Sequence, residues 1–397
     1  MVAFYILAAL LIFLSFKSFR GGIEYLRFFK SELAKPKPEF TPFVTVIAPC
    51  RGLDAGLDDN LRALIEQDYP DYEVIFVVDD KNDAAVPVIE EVSRKAAKDA
   101  KLVVAPKADG CSQKVENLRQ AVLHAADGSE GFVFVDSDAR PSANWLRYLV
   151  APLKDKSIGA ATGYRWFISE KPSFASEMRS VWNASIASAL GPKTKTNFCW
   201  GGSIAIRRDV FEQIDMREKW QGTLSDDFAV TRAMNAAGLP IVFVPQALTA
   251  SVEDCSFTEL LEFTTRQMKI TRVYAPHLWL MSFFGSGLFN AVMIAAFLIE
   301  ILRHKNDFVV FAAIVTLVLV AIFSIGKAWL RLKAVKLVLT KYNSELRRQF
   351  WTQHTLWLLT PALFFYNSFA AWVSRRMTWR GITYELKSPA ETVIITD

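Results

Sequence analysis

Apolar residues fall into two patterns along the chain. Residues 1–16, 278–298 and 308–325 contain no charged side chain, and runs of that length predict helices that sit in a membrane. The shorter runs over 43–49, 72–78, 101–105, 132–135 and 158–164 predict buried strands instead. Helical stretches over 57–67, 85–97, 113–126 and 173–190 fall between and after them. Strands alternating with helices predict an α/β fold with a doubly wound, mostly parallel sheet.

The same pattern sets the expected organisation. An N-terminal membrane helix (1–16) leads through a basic, proline-containing linker (17–42) to an α/β domain over 43–256. A helix at 257–277 follows, then membrane segments over 278–374 and a tail over 375–397. Within the membrane portion, 303–307 reads as a tight external loop. Residues 327–350, with seven basic side chains against Glu345, read as an amphipathic helix on the cytoplasmic surface. Residues 356–373 are apolar, but spanning there would leave Arg375, Arg376 and Arg380 outside, so Pro361 is read as bending a re-entrant or interfacial segment. Lys17, Arg20, Arg27, Lys30, Lys35 and Lys37 follow the first apolar run rather than precede it. That order argues against a cleaved leader and places the α/β domain in the cytoplasm.

Composition supports this division. With 30 Phe and 11 Trp in 397 residues and a mean hydropathy of +0.19, the chain is more apolar than a soluble domain needs to be. Much of the basic excess behind the net charge of +5 flanks the apolar runs, which points to a lipid bilayer and away from nucleic acid. Cys50, Cys111, Cys199 and Cys255 form no Cys-x-x-Cys pair, so neither a zinc site nor a disulfide framework is indicated.

Candidate chemistry begins at residues 131–140, GFVFVDSDAR, where an apolar run ends in Asp136 and Asp138. Open α/β sheets bind ligands beyond the carboxyl ends of their strands. Two close carboxylates there repel each other, and Mg²⁺ or Mn²⁺ carrying a diphosphate explains them; an Asp-Ser-Asp turn opening the next helix is the plainer alternative. The strand over 72–78 also ends in acids, Asp79 and Asp80. Lys114 and Asn117 share one face at the start of a helix and can reach a phosphate or ribose. Gly201 and Gly202 let backbone approach a ligand closely, and Trp200 offers either a flat surface for a sugar or lipid head or a core side chain. Asp226 and Asp227 open a helix behind Ser225, and two adjacent acids exceed what capping needs. Arg266 and Lys269 lie three residues apart on a helix, with Arg272 extending the row. They suit either lipid headgroups or a departing diphosphate.

Taken in order, Asp80, Lys114-x-x-Asn117-Leu118, Asp136-Ser137-Asp138, Asp226-Asp227 and Arg266-x-x-Lys269-Ile270 resemble the family-2 glycosyltransferases of GT-A fold. Within these the chain most resembles the ceramide glucosyltransferase branch, including bacterial hopanoid-associated and other lipid glycosyltransferases. The closing Trp379-Arg380-Gly381-x-x-Tyr384 adds to the likeness. The resemblance implies that Asp80, with Asp79 beside it, contacts the nucleotide base, that Asp136 and Asp138 hold donor and metal, and that Asp227 in the Asp226-Asp227 pair is the general base. It implies a UDP-sugar donor and a membrane lipid acceptor, in a bacterial inner membrane or, in a eukaryote, the Golgi or ER membrane. Lys269 and Ile270 stand where the family motif has Arg and Trp, which removes a planar fork and an indole. A processive polysaccharide synthase is the nearest rival and normally keeps that Trp. A non-catalytic lipid- or partner-binding scaffold is the rival of another class.

Overall fold

The computed structural model describes residues 1–95, 98–302 and 308–396, so the external loop expected at 303–307 lies outside the described residues. In chain order the strands are β1 (Val44–Pro49), β2 (Tyr72–Val78), β3 (Asp99–Val104), β4 (Gly131–Phe134), β5 (Ala160–Ile168), β6 (Ile204–Arg207), β7 (Ile241–Val252), β8 (Arg376–Trp379), β9 (Ile382–Ser388) and β10 (Glu391–Thr396). The helices are α1 (Val2–Leu33), α2 (Leu57–Ile65), α3 (Val86–Lys95), α4 (Gln113–Ala121), α5 (Trp145–Val150), α6 (Phe174–Ala187), α7 (Arg208–Gln213), α8 (Met216–Lys219), α9 (Asp226–Ala236), α10 (Phe257–Tyr274), α11 (Pro276–Leu302), α12 (Phe308–Val338), α13 (Asn343–Thr355) and α14 (Thr360–Val373). They form two compact units. Residues 31–170, 189–254 and 375–397 make one, and residues 1–30, 171–188 and 255–374 the other.

The first unit is built on a seven-stranded sheet of order β3-β2-β1-β4-β6-β5-β7. β1 lies parallel to β2 and β4, while β6 runs antiparallel to both of its neighbours. Every residue of β2 is buried, as expected of a parallel strand covered on both faces. Ile47, Ile75, Phe132 and Phe134 from the sheet pack with Val115 and Leu118 of α4 and Val230 and Met234 of α9. That shared core fixes the starts of α4 and α9 over the sheet edge where β4 ends.

Strand β7 was not foreseen from the apolar pattern. Pro245 and several polar residues interrupt it, and a proline donates no ladder hydrogen bond. The strand tolerates this because it is the last in the sheet order and its register against β5 shifts between Thr162 and Tyr164. Of residues 375–397, expected as a tail, 376–396 fold into the antiparallel sheet β10-β9-β8. Tyr384 fastens this sheet to the unit, its hydroxyl accepting the Gln113 N–H at the start of α4 at 3.2 Å.

The second unit is helical. α1 is continuous over 32 residues, so much of the expected linker is helix. α10 starts at a capping box, in which Ser256 and Glu259 satisfy each other's backbone N–H groups. Among the described residues α1, α11 and α12 are each long and apolar enough to cross a membrane. α12 runs on to Val338, so the single amphipathic surface helix expected over 327–350 is instead the end of α12, a turn, and α13. Arg331 is buried there, its Nη2 donating to Gln353 Oε1 at 3.1 Å. The chain from Thr340 to Leu358 meets α14 at 60°, a broken span or a re-entrant turn, with Pro361 in the first turn of α14, where its missing N–H costs nothing. α6, expected in the α/β domain, packs here: Trp182 stacks on Phe364 at 5.0 Å.

Gly163 sits at the β5–β7 register shift, where a Cβ would lie 2.1 Å from the Ala247 carbonyl oxygen and 2.4 Å from Ser203 Oγ. The Ala247 carbonyl cannot yield without moving β7. Gly163→Ala is therefore expected to cost at least about 2 kcal/mol by overpacking, read as a lowered denaturation midpoint; an unchanged midpoint would contradict the close approach.

Candidate active site

Lys114 is the centre of the site. It is the second residue of α4, whose N-cap Ser112 accepts the Val115 N–H at 3.2 Å and donates its hydroxyl to the Leu224 carbonyl at 2.7 Å. The Ser112 N–H also reaches the Thr223 carbonyl, at 3.0 Å. These bonds tie the start of α4 to the segment that leads into α9. Lys114 Nζ then bridges Asp136 Oδ1 at 2.6 Å and Asp226 Oδ1 at 2.9 Å.

Backbone closes one side. A Cβ on Gly201 would come within 2.6 Å of Asp226 Oδ2 and 2.8 Å of Lys114 Nζ, so glycine is needed for these groups to meet. The Gly201 N–H donates to Asp227 Oδ2 at 3.2 Å. Asp227 Oδ1 accepts the Phe228 N–H at 2.7 Å and the Ser225 hydroxyl. Ser225 thus stands at the N-cap of α9 without capping a backbone N–H itself.

Asp138 has a different partner. Arg165 leaves the middle of β5, lies over the Trp200 ring at 5.2 Å and pairs with Asp138 Oδ2 at 3.0 Å. Asp138 Oδ1 and Asp226 Oδ2 have no hydrogen-bond partner among the described residues. Ser137, between the two acids, donates to Asp54 Oδ2 at 2.5 Å, and Arg380 from the β8–β9 turn pairs with Asp54 Oδ1.

Burial raises the Asp138 carboxyl to about 7 against the pull of Arg165, and Asp136 adds to the rise. Burial likewise raises Asp226 to about 6, opposed by Lys114 and helped by Asp227. At Asp136 burial is outweighed by Lys114 and Arg165, and its carboxyl stays below the usual range. Lys114 is held above the usual lysine range by Asp136 and Asp226 in spite of its burial.

The structure therefore brings together Lys114, Asp136, Asp226, Asp227 and Gly201, with Asp138 on the same strand-end segment. Other expected residues fare differently. Asp79 is pinned by Arg51 at 2.5 Å and Lys107 at 2.7 Å and is buried, whereas Asp80 is exposed and reachable. Asn117 does not join Lys114: it is buried, accepting from Gln113 Nε2 at 2.9 Å. Trp200 is buried against Tyr164 and Arg165 rather than presenting an open face, and Gly202 makes room for its ring. Arg266, Lys269 and Arg272 belong to the helical unit. There Arg266 lies over Phe263, burial lowers the Lys269 ammonium, and Arg272 donates to the Ala371 and Trp372 carbonyls at the end of α14. Asp54 and Arg165 were missed, and Arg380 was named as part of the closing motif with no role assigned. Arg165 carried a signal, a charge inside an otherwise apolar strand; Asp54 carried none.

A family model described as glycosyl transferase family 21 matches residues 8–391. The chain belongs to glycosyl transferase family 21. Among curated relatives, a ceramide glucosyltransferase from Komagataella phaffii is 31% identical over 78 residues, 20% of this chain and 15% of that protein. One from Candida albicans is 28% identical over 123 residues, 28% of this chain and 22% of that protein. The matched stretches thus span less than a quarter of those relatives. Among solved structures, a mannosyltransferase from Pyrobaculum calidifontis, in complex with GDP-mannose and Mn²⁺, aligns over 92% of this chain and 98% of its own with 20% identity and a TM-score of 0.45. A glucosyl-3-phosphoglycerate synthase from Mycobacterium tuberculosis, solved with phosphoglyceric acid, aligns over 60% of this chain and 85% of its own with 14% identity and a TM-score of 0.38. The mostly parallel sheet with its one antiparallel member agrees with the GT-A fold expected for this family-21 chain.

The raised carboxyls give a testable sign. Asp138 and Asp226 hold protons in the folded state at pH values where the unfolded chain, near 3.8, has released them. Their contribution to stability is full below about pH 4 and is lost as pH rises through about 6 to 7. In a metal-free preparation, Asp138→Asn should therefore lose less thermal stability than the wild type between those limits. Parallel melting-temperature profiles would contradict the buried, proton-holding Asp138.

Proposed function

We propose that this chain is a membrane-bound inverting glycosyltransferase that moves a hexose, glucose in the leading reading, from a UDP-sugar to a hydroxyl of a ceramide- or hopanoid-like lipid. The observation that carries the reading is the meeting of Asp136, Asp226 and Asp227 around Lys114 and Gly201 beyond the carboxyl end of β4, in a family-21 chain. The apolar helices suit a lipid acceptor, and the basic residues after the first apolar run favour a cytoplasmic site.

A divalent ion fits this site only in part as protein alone. Among the described residues no three His, Cys, Asp or Glu side chains gather to hold one. The orphaned Asp138 Oδ1 matches the common case in which one or two carboxylates and the substrate's phosphates complete the shell, so Asp138 with Asp136 would hold Mg²⁺ or Mn²⁺. When bound, the ion offsets charge on the leaving diphosphate.

The chain's own groups do the rest. Lys114, kept cationic by two carboxylates, presents fixed positive charge to the diphosphate. Hydrogen bonds from Gly201, Ser225 and Phe228 orient the Asp227 carboxylate, which takes the acceptor's hydroxyl proton as that oxygen attacks the anomeric carbon and the bond to UDP breaks. Asp226 is held at Lys114, so a single base and no positioned nucleophile favour inversion.

Full-length protein supplied with UDP-glucose, Mg²⁺ or Mn²⁺ and ceramide should release UDP and yield a hexosylated lipid by mass spectrometry. Absence of metal-dependent UDP release with lipid acceptors would refute the reading. Asp227→Asn should lose a factor on the order of 10²–10⁴ in turnover with UDP binding retained. Full turnover by that variant would remove Asp227 from the role of base.

A further inference from the structure

Arg380 has no role in the mechanism above, yet it stands on the same rim. It occupies the turn between β8 and β9 at φ 51°, followed by Gly381 at φ 86°. Two successive left-handed residues match the tight hairpin turn that favours Asn-Gly. An arginine there is strained, and strain that survives at a rim points to a use for the side chain.

Docking the C-terminal sheet does not explain Arg380. The sheet is already held by the bond between Tyr384 and Gln113, and by close backbone packing in which a Cβ on Gly222 would meet the Ala390 carbonyl at 2.1 Å. Arg380 instead pairs with Asp54, and the other oxygen of Asp54 accepts from Ser137 between Asp136 and Asp138. Exposure separates the cations of this rim. The Lys114 and Arg165 side chains are 14% and 10% exposed, each held close to its carboxylate partners. Arg380 is 41% exposed, whereas Asp54 is 9% exposed and keeps the Ser137 hydroxyl as a second partner, so the guanidinium is the half of the pair open to an incoming anion. A guanidinium fork also matches phosphate oxygens two at a time.

We propose that Arg380 is a clamp for the donor's diphosphate, parked on Asp54 until a nucleoside diphosphate takes that carboxylate's place. Asp54 holds the fork only in the free protein and competes with the ligand for it. The inference rests on the donor reading given above, and the measurements separate the two.

Titrate the full-length protein in nanodiscs, with Mg²⁺ present, with UDP and with uridine. Arg380→Met should weaken UDP by about tenfold to a hundredfold and leave uridine unchanged, because only the phosphates are lost from view. Arg380→Lys should recover part of the UDP affinity, and Asp54→Asn should bind UDP at least as tightly as the wild type. A wild type that binds no UDP would defeat the donor reading itself. A wild type that binds UDP beside an Arg380→Met that binds it equally well would overturn the clamp alone. Equal loss of UDP and uridine in Arg380→Met, or weaker UDP binding by Asp54→Asn, would overturn it too, since either marks a structural tie.

Discussion

A partly buried lysine between two carboxylates is the interaction on which the site depends. Asp136 and Asp226 come from distant parts of the sequence; Asp226 is buried and Asp136 partly so, where an unpaired charge is disfavoured. Lys114 satisfies one oxygen of each. Without it the two acids would repel across a region of low dielectric and one would have to take up a proton. The rise at Asp226 shows how closely balanced the arrangement already is.

The backbone is shaped to allow that meeting. Ser112 bonds the start of α4 to the segment before α9, Gly201 removes the one Cβ that would intrude, and the common core beneath α4 and α9 holds both helix starts above the sheet edge. Arg165 performs a parallel service for Asp138, laid against Trp200 so that an aromatic face covers part of its charge. Each carboxylate of the Asp136-Ser137-Asp138 segment thus has its own cation.

Different physics governs the helical unit. Its long helices α1, α11 and α12 are apolar enough to cross a bilayer, and inside the unit Arg331 donates to Gln353. The basic row of α10 belongs to this unit, where Arg272 closes the end of α14 and so acts on the fold whatever else it meets.

The sequence by itself determined the elements. Burial of each segment imposes its own period, so the strands just before Asp79 and Asp136, the helix opening at Asp226 and the uncharged runs within α1, α11 and α12 were legible from local pattern. The acids and Lys114 were legible as candidates because charged residues beside apolar runs are costly without a purpose. The tertiary structure alone decided their partners. Lys114 pairs with Asp136 and Asp226, Arg165 with Asp138 and Arg380 with Asp54, while Trp200 and Asn117 are covered. It also decided that residues 376–396 form a sheet and that α6 packs with the helical unit. Charge pairing falls off with distance through space, and that distance is set by crossovers and long-range packing that no local period encodes.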